Sequence, residues 1–533
     1  TGLKAHVPTA GTLIVPLEQA GYLSIVHRRV FRDPFGDPVE PDRPPQLTPE
    51  QSVVVDQVIQ NLHKGFCPYL LTGITGSGKT EVYMHLVNTV IETGRKAIVL
   101  VPEISLISQT ERRFRARFGS RIAVIHSALT KGELLDQWRK ITLDTVDIVI
   151  GARSSVFAPF DRVGLVVVDE EHDGSYKQES GLRYNARDLA VVRAKLSQCP
   201  VILGSATPSV QSYQNVVQKR FTELTLTRRI NNHLLPKITL VDLKQYKDAR
   251  GLDRVITPKL VKAIRQCLDQ GNQALIFLNR RGFATSPVCR DCGAALCCRY
   301  CDVTLTYHKG FNGYRCHLCG YSTQTRVVCP SCSSLKIKPL GFGTERVESM
   351  MKELFPDARV ARMDQDTTAA KGATVKLLKQ IRNRNVDIIV GTQMLAKGHD
   401  FPSITLVGVV CADLSMNLPD FRAGERTFQL LAQVAGRAGR GETSGKVIMQ
   451  TYTPDHFIIE ASKNQDFLEF FQNEIPFRKA LMYPPFSRMI QLKISGIHPE
   501  KVQAFAHATA ERLTVLLDRD SDDLAHPVQI MGP

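Results

Sequence analysis

The chain has 533 residues, 43% of them apolar and 23% charged, which excludes a disordered polymer and allows several domains of about 100–200 residues each. Lys and Arg number 68 against 52 Asp and Glu, and the net charge of +16 suggests a polyanionic partner, with a generally solvated basic surface as the plain alternative. No apolar run approaches the roughly 20 residues that span a bilayer, and no signal peptide opens the chain. Thr1 in place of Met, and the closing Met531-Gly532-Pro533, read as cut ends of a longer protein.

In residues 1–45, "AGTLIVPLEQAGYLSIVHRRVF" reads as a helix and hairpin, like the end of a winged-helix module. The Pro- and Asp-rich "RDPFGDPVEPDRPPQ" reads as a linker. Residues 46–230 alternate β-branched runs with helical patterns: "KAIVLVP", "VDIVIGAR", "LVVVDEE" and "VILGSATP" against "EVYMHLVNTVIE" and "SQTERRFRARF". Continuous apolar strands alternating with helices predict an α/β fold, its parallel sheet covered on both faces and its ligands at the strands' carboxyl ends. The pattern resumes over 231–285 and 339–455 with "ALIFLNRRG", "DIIVGTQM" and "TLVGVV", interrupted by a Cys-rich insertion over 286–338. Residues 456–533, with "YPPFSRMIQLKISG", read as an incomplete α+β domain.

"GITGSGKT" fits G-x-x-x-x-G-K-[ST] between a strand and a helix. Its Gly73, Thr75, Gly76, Ser77 and Gly78 bring backbone N–H groups to phosphate oxygens. Lys79 is expected to reach the β- and γ-phosphates of ATP and Thr80 to ligate Mg²⁺. A P-loop needs a carboxylate for its magnesium and a group that orients water. "VVVDEE" supplies Asp169 for the first and Glu170 for the second, although an Asp at a strand exit also serves as an N-cap. The second α/β unit has "QVAGRAGR", whose Arg437 and Arg440 suit charge stabilisation on a transferring phosphoryl group.

Nine of the 13 cysteines lie between Cys289 and Cys332. Four C-x₂-C pairs (Cys289/Cys292, Cys298/Cys301, Cys316/Cys319, Cys329/Cys332) supply eight thiolates, enough for two closed Cys₄ zinc sites of structural type. Spacing alone allows more than one pairing. Clustered cysteines without a secretory signal also point to a reducing, cytosolic compartment.

The set "GITGSGKT", "DEEH", "GSATPS" and "QVAGRAGR" resembles superfamily 2 helicases. With "VPEISL", "IGARSSVFAPF", "LNRRGF", "GFGTE", "GTQMLAKGHDFP" and the paired cysteines, it resembles the bacterial PriA family of primosomal replication-restart helicases. The resemblance implies two RecA-like lobes and a 3′→5′ DNA helicase acting on single-stranded and forked DNA. It implies as partners the single-stranded-DNA-binding protein and the proteins of primosome and replicative-helicase loading. A monomer in the bacterial cytoplasm, at the nucleoid, is expected. It carries Gln51 over as an adenine reader, Gly398 and Asp400 as nucleotide-proximal residues, and Gln433, Arg437 and Arg440 as γ-phosphate sensors and fingers. It favours nested zinc pairing: the inner four cysteines in one site, the outer four in the other.

A single strand needs cations for its phosphates and aromatic or polar groups for its bases. The candidates are Arg153, Ser154 and Ser155, then Tyr176, Lys177, Arg183 and Tyr184 in a loop resembling the aromatic-rich loop of related helicases. In the second lobe they are Arg280, Arg281, Thr344, Thr392, Gln393 and Lys397. A base stacked in the first-lobe loop would act on Glu170 through His172. Two other readings compete: a loading platform whose ATPase is secondary, and an RNA helicase.

Overall fold

The computed structural model describes residues 10–24, 31–32, 39–230, 236–246, 256–278, 287–289, 291–292, 294–300, 304–308, 313–316, 320–324, 327–339, 343–364, 367–368, 373–396, 401, 403–416, 418, 420–439, 445–519 and 528–530. Helix α1 (Ala10–Gln19) is the first element among the described residues. The hairpin expected after it falls largely outside the described residues.

The first sheet holds β1 (Pro68–Gly73), β2 (Lys96–Leu100), β3 (Ile122–Ile125), β4 (Ile148–Gly151), β5 (Val163–Asp169), β6 (Val201–Ser205) and β7 (Thr222–Leu226). Their order is β3-β4-β2-β5-β6-β1-β7, with every pairing parallel. Strands β2, β3, β4 and β6 are buried along their whole length, as their unbroken apolar runs require when helices cover both faces. The helices of this lobe are α2 (Pro49–Ile59), α3 (Lys79–Glu92), α4 (Ile104–Phe118), α5 (Lys131–Thr142), α6 (Ala186–Leu196) and α7 (Val210–Val217). A capping box starts α2, with Thr48 and Gln51 each bonding the other's backbone N–H. Two apolar clusters, one led by Leu71 and Tyr83 and the other by Leu70 and Tyr176, pack against the sheet.

The second lobe opens with β8 (Lys237–Asp242), α8 (Pro258–Asp269) and β9 (Gln273–Phe277). The insertion follows as β10 (Pro287–Cys289), β11 (Thr306–His308), β12 (Gly313–Arg315), β13 (Ser322–Gln324) and β14 (Ile337–Pro339). Strands β11 to β13 form an antiparallel sheet, while β10 pairs antiparallel with β14 and closes the insertion on itself. The lobe resumes with α9 (Thr344–Leu354), β15 (Val360–Met363), α10 (Ala373–Arg382), β16 (Ile388–Gly391), α11 (Gln393–Ala396), β17 (Ile404–Val409), α12 (Ala423–Ala435) and β18 (Lys446–Thr451). The sheet order is β15-β16-β9-β17-β18-β8, again parallel throughout.

After β18 come α13 (Phe457–Asn464), α14 (Phe467–Ala480) and α15 (Pro499–Arg519). Residues 456–533 are expected to be an incomplete α+β domain; their described residues are helical or irregular. The alternating stretch around Ile490 and Ile497 is exposed, at 90% and 93%, with no strand beside it to pair with among the described residues. Among the described residues no helix is long and apolar enough to cross a membrane.

Candidate functional site

The carboxyl ends of β5, β6 and β1 lie side by side, which brings three polar segments into contact. The P-loop leaves β1 with Gly76 and Gly78 at φ +87° and +84°, backbone that favours glycine. A Cβ at Gly78 would lie 2.3 Å from Gln51 Nε2. Lys79 begins α3, largely buried, and its Nζ donates to Gly73 O at 2.8 Å. Ser77 Oγ is buried and makes no hydrogen bond. Left-handed glycines, a helix N-terminus and an orphaned hydroxyl together fit a phosphate cradle. Gln51 is committed within the chain: Oε1 accepts from Thr48 N and Nε2 donates to Ser77 O at 3.0 Å. It braces α2 against the P-loop, so the amide edge expected to read adenine is engaged within the chain.

Asp169 ends β5 between two buried tyrosines. Tyr83, one turn beyond Lys79 on α3, donates its hydroxyl to Asp169 Oδ1 at 3.1 Å. The Tyr176 hydroxyl lies 2.6 Å from Asp169 O and 3.1 Å from Leu100 O. Burial, then the Glu170 charge, push the Asp169 carboxyl up to about 7, against the pull of Lys79 and the Tyr83 hydroxyl. A divalent cation beside Asp169 would favour the charged form. Sequence reading missed Tyr83, although its i+4 spacing from Lys79 puts both on one helix face. The arrangement requires glycine at 204, where β6 passes between Leu71 and Asp169, because a Cβ there would lie 1.7 Å from the Tyr83 hydroxyl. Gly204→Ala is therefore expected to cost about 1–3 kcal/mol, read as a lower melting temperature and largely recovered by adding Tyr83→Leu.

Glu170 has φ +47°, a strained backbone for a non-glycine residue. Its Oε2 is buried without a hydrogen bond, and His172 Nδ1 lies 3.6 Å away. Glu171 is the opposite case. It is 1% exposed and accepts from Ser209 N (2.6 Å), Ser209 Oγ (3.1 Å), Ser212 Oγ (2.7 Å) and Arg187 Nη1 (3.2 Å). The third carboxylate thus ties the acidic loop to the N-terminus of α7. His172 joins the lobes: Nδ1 lies 2.7 Å from Ser205 Oγ and Nε2 lies 2.9 Å from Gln433 Nε2 on α12. An amide nitrogen only donates, so with this amide orientation Nε2 accepts and the ring proton sits on Nδ1.

Gln429 donates to Thr207 O and Pro208 O, both at 3.3 Å. Glu425 accepts from Val210 N at 2.8 Å, and Thr75 of the P-loop lies against Gly436. Arg437, 4% exposed, follows directly. The second lobe therefore faces the P-loop and the acidic loop together. Arg440, Gly398 and Asp400 lie outside the described residues.

Three expected strand contacts are corrected by burial. Tyr176 is 1% exposed with its hydroxyl engaged beneath the acidic loop. Ser155 is buried and donates to Ile125 O, and Thr344 is buried and donates to Asp364 Oδ2 at 2.7 Å. Arg153 donates to Lys177 O and braces the loop; Ser154, Lys177 and Arg183 are exposed. Tyr184 is half-buried, its ring 5.2 Å edge-on from Phe157, itself 45% exposed and passed over in the sequence. Thr392 is largely buried, and Gln393 starts α11. Arg280, Arg281 and Lys397 lie outside the described residues.

The Sγ atoms of Cys289, Cys292, Cys329 and Cys332 all lie within 4.8 Å of one another, with Cys289–Cys332 and Cys292–Cys329 at 3.5 Å. Tetrahedral Zn–S bonds of about 2.3 Å demand S···S distances of about 3.8 Å, so these outer four thiols fit one closed zinc site. Of the inner four, Cys298 and Cys316 are buried in an apolar cluster with Leu296, Leu305 and Tyr314. Cys301 and Cys319 lie outside the described residues.

Residues 48–216 match the DEAD/DEAH box helicase family model, 298–323 the PriA DNA helicase Cys-rich region, and 316–442 the helicase conserved C-terminal domain. The chain is 43% identical to replication restart protein PriA of Bacillus subtilis over 98% of its own length and 64% of the relative's. It is 42% identical to the same protein of Synechocystis, over 100% of this chain and 64% of that one. With that of Rickettsia felis it shares 41% identity over 87% of this chain and 71% of the relative. The chain thus spans 64% of the length of the first two relatives. Identity at this level over most of both chains makes this chain a member of the PriA family of replication restart proteins.

Proposed function

We propose that the chain is the motor of a 3′→5′ DNA helicase, driven by ATP hydrolysis, that unwinds stalled forks and starts primosome assembly. Glu170 carries the reading: a strained backbone presents a buried carboxylate oxygen without a hydrogen bond, beside Asp169 and facing a P-loop. A strained, unsatisfied acid at such a place is what water activation requires. Thr80 and Asp169 would hold magnesium, which would supply positive charge to the phosphates. Lys79 turns from Gly73 O to the phosphates, Glu170 orients the attacking water and takes its proton, and Arg437 with Arg440 stabilises the developing charge. Gln433 on His172 joins lobe closure to the acidic loop.

DNA passes across Arg153, Ser154, Lys177, Arg183 and Tyr184 of the first lobe and Arg280, Arg281, Gln393 and Lys397 of the second. The net charge of +16 and the exposure of the first-lobe residues other than Tyr184 and Arg153 support this path. Fork preference, polarity and partnership with single-stranded-DNA-binding and primosome proteins rest on family membership, as does a cytoplasmic monomer. Strand-stimulated ATP hydrolysis on DNA and RNA, with unwinding of forks bearing defined 3′ or 5′ tails, tests the reading. Stimulation by RNA alone would overturn it. A Lys79→Ala chain that still assembles a primosome without unwinding would favour the loading platform.

The inner cysteines complete a second zinc site. Metal analysis is then expected to give about two zinc ions per chain, falling to about one in Cys329→Ser. That variant should lose unwinding more than ATP hydrolysis; equal loss would point to general unfolding.

A further inference from the structure

Glu425, Gln429 and Gln433 are spaced i, i+4, i+8 along α12 and share one face. Each reaches the first lobe: Glu425 at Val210 N, Gln429 at Thr207 O and Pro208 O, Gln433 at His172. Two successive amides at the start of α7 are thereby claimed by carboxylates from opposite lobes, Ser209 N by Glu171 and Val210 N by Glu425.

The first rung of this ladder is held from outside both lobes. Arg478 on α14 is 3% exposed; its Nη2 donates to Glu425 Oε2 at 2.8 Å, its Nε to Glu474 Oε1 at 2.9 Å and its Nη1 to Pro484 O at 3.2 Å. Glu425 and Glu474 are 6% and 8% exposed, so the Arg478 guanidinium is the cation that pairs both carboxylates away from water. The same helix grips both lobes. Phe470 stacks on Phe428 of α12 at 4.6 Å, and Phe467 and Phe471 meet Tyr213 of α7 edge-on at 5.1 and 4.8 Å.

We infer that Arg478 is a positioning residue for ATP hydrolysis: by fixing Glu425 on the N-terminus of α7, it sets the closed lobe arrangement in which Gln433 reaches His172. This rests on the function proposed above. Helix α14 is then a working part of the motor, and whatever moves it changes the rate at which nucleotide is consumed.

The test compares Arg478→Met, Arg478→Lys and Glu474→Gln with the unaltered chain. Glu474 bonds Arg478 on its own helix and makes no bond to Val210, so Glu474→Gln disturbs the buried cluster and leaves the Glu425–Val210 bond in place. The readouts are kcat and KM for ATP with saturating single-stranded DNA, ADP affinity, melting temperature, and energy transfer between dyes on exposed Gln218 and Lys379. Arg478→Met should lower kcat by about tenfold and deplete the closed population, with ADP affinity within about twofold. Arg478→Lys should recover part of both losses, and Glu474→Gln should lower the melting temperature with kcat within about twofold. If Arg478→Met does not fold, Arg478→Lys against Glu474→Gln decides. An unchanged kcat, or a kcat that falls with melting temperature alike in all variants, overturns the inference and leaves the proposed function standing. An unaltered chain that does not hydrolyse ATP overturns the proposed function, and the inference with it.

Discussion

A Glu170→Gln chain is expected to lose ATP hydrolysis by about 10²–10⁴-fold while still holding nucleotide. The amide matches the carboxylate in shape, so packing around β5 is kept, but it takes no proton from water. The buried oxygen Oε2 makes no hydrogen bond, and its contact with His172 Nδ1 at 3.6 Å is too long to cost the fold much. Stability should therefore hold or rise slightly. Glu170→Gly sharpens the point: at φ +47° glycine relieves strain of order 1 kcal/mol, so that chain should melt higher and be equally inactive. Rates from released phosphate, binding of a fluorescent nucleotide and thermal melts check all three outcomes. A Glu170→Gln chain that hydrolyses ATP near the unaltered rate would remove Glu170 from the chemistry.

One residue on, the expectation inverts. Glu171→Ala should cost about 3–5 kcal/mol, because it leaves the largely buried Arg187 without this partner and strips Ser209 N of its acceptor. Arg187 keeps Asp188 at 2.8 Å, but that carboxylate is more than half exposed and compensates weakly. The melting temperature should drop by about 10 °C, given roughly 2–4 °C per kcal/mol for a unit of this size. Glu171→Gln keeps acceptor capacity and should lose less. ATP hydrolysis in either variant, measured well below its melting point, should fall less than in Glu170→Gln. Equal inactivation with unchanged stability would mean that Glu171 belongs to the chemistry.

The strands were legible because a parallel sheet covered on both faces admits only apolar residues, and "KAIVL" or "IVIG" has no other use. The P-loop and the C-x₂-C pairs were legible because phosphate cradles and thiolate turns demand those residues at those spacings. Legibility failed where one residue type serves two purposes. Tyr176 and Tyr184 share a loop and a chemistry; only the fold shows that the first lies under Asp169 and the second near the surface. Ser155 and Thr344 read as strand contacts because a hydroxyl in a polar loop carries no mark of burial. The run Asp169-Glu170-Glu171 gave no hint that its last member faces inward, since that depends on α7 arriving 38 residues later. The stripe on α12 has visible i+4 spacing, but its partners belong to another lobe. Residues 486–497 alternate like a strand, and alternation cannot supply a neighbour.

The pairing of β10 with β14 has a consequence for descent. It sets the two ends of the Cys-rich insertion on adjacent strands, with Pro287 opposite Pro339, outside the ladder of the parallel sheet. An element whose ends meet asks its host for little more than a short gap, so it can be lost, enlarged or exchanged while β9 and β15 keep their places. Such a graft is free to vary in size and surface while the parallel sheets on either side of it stay as they are.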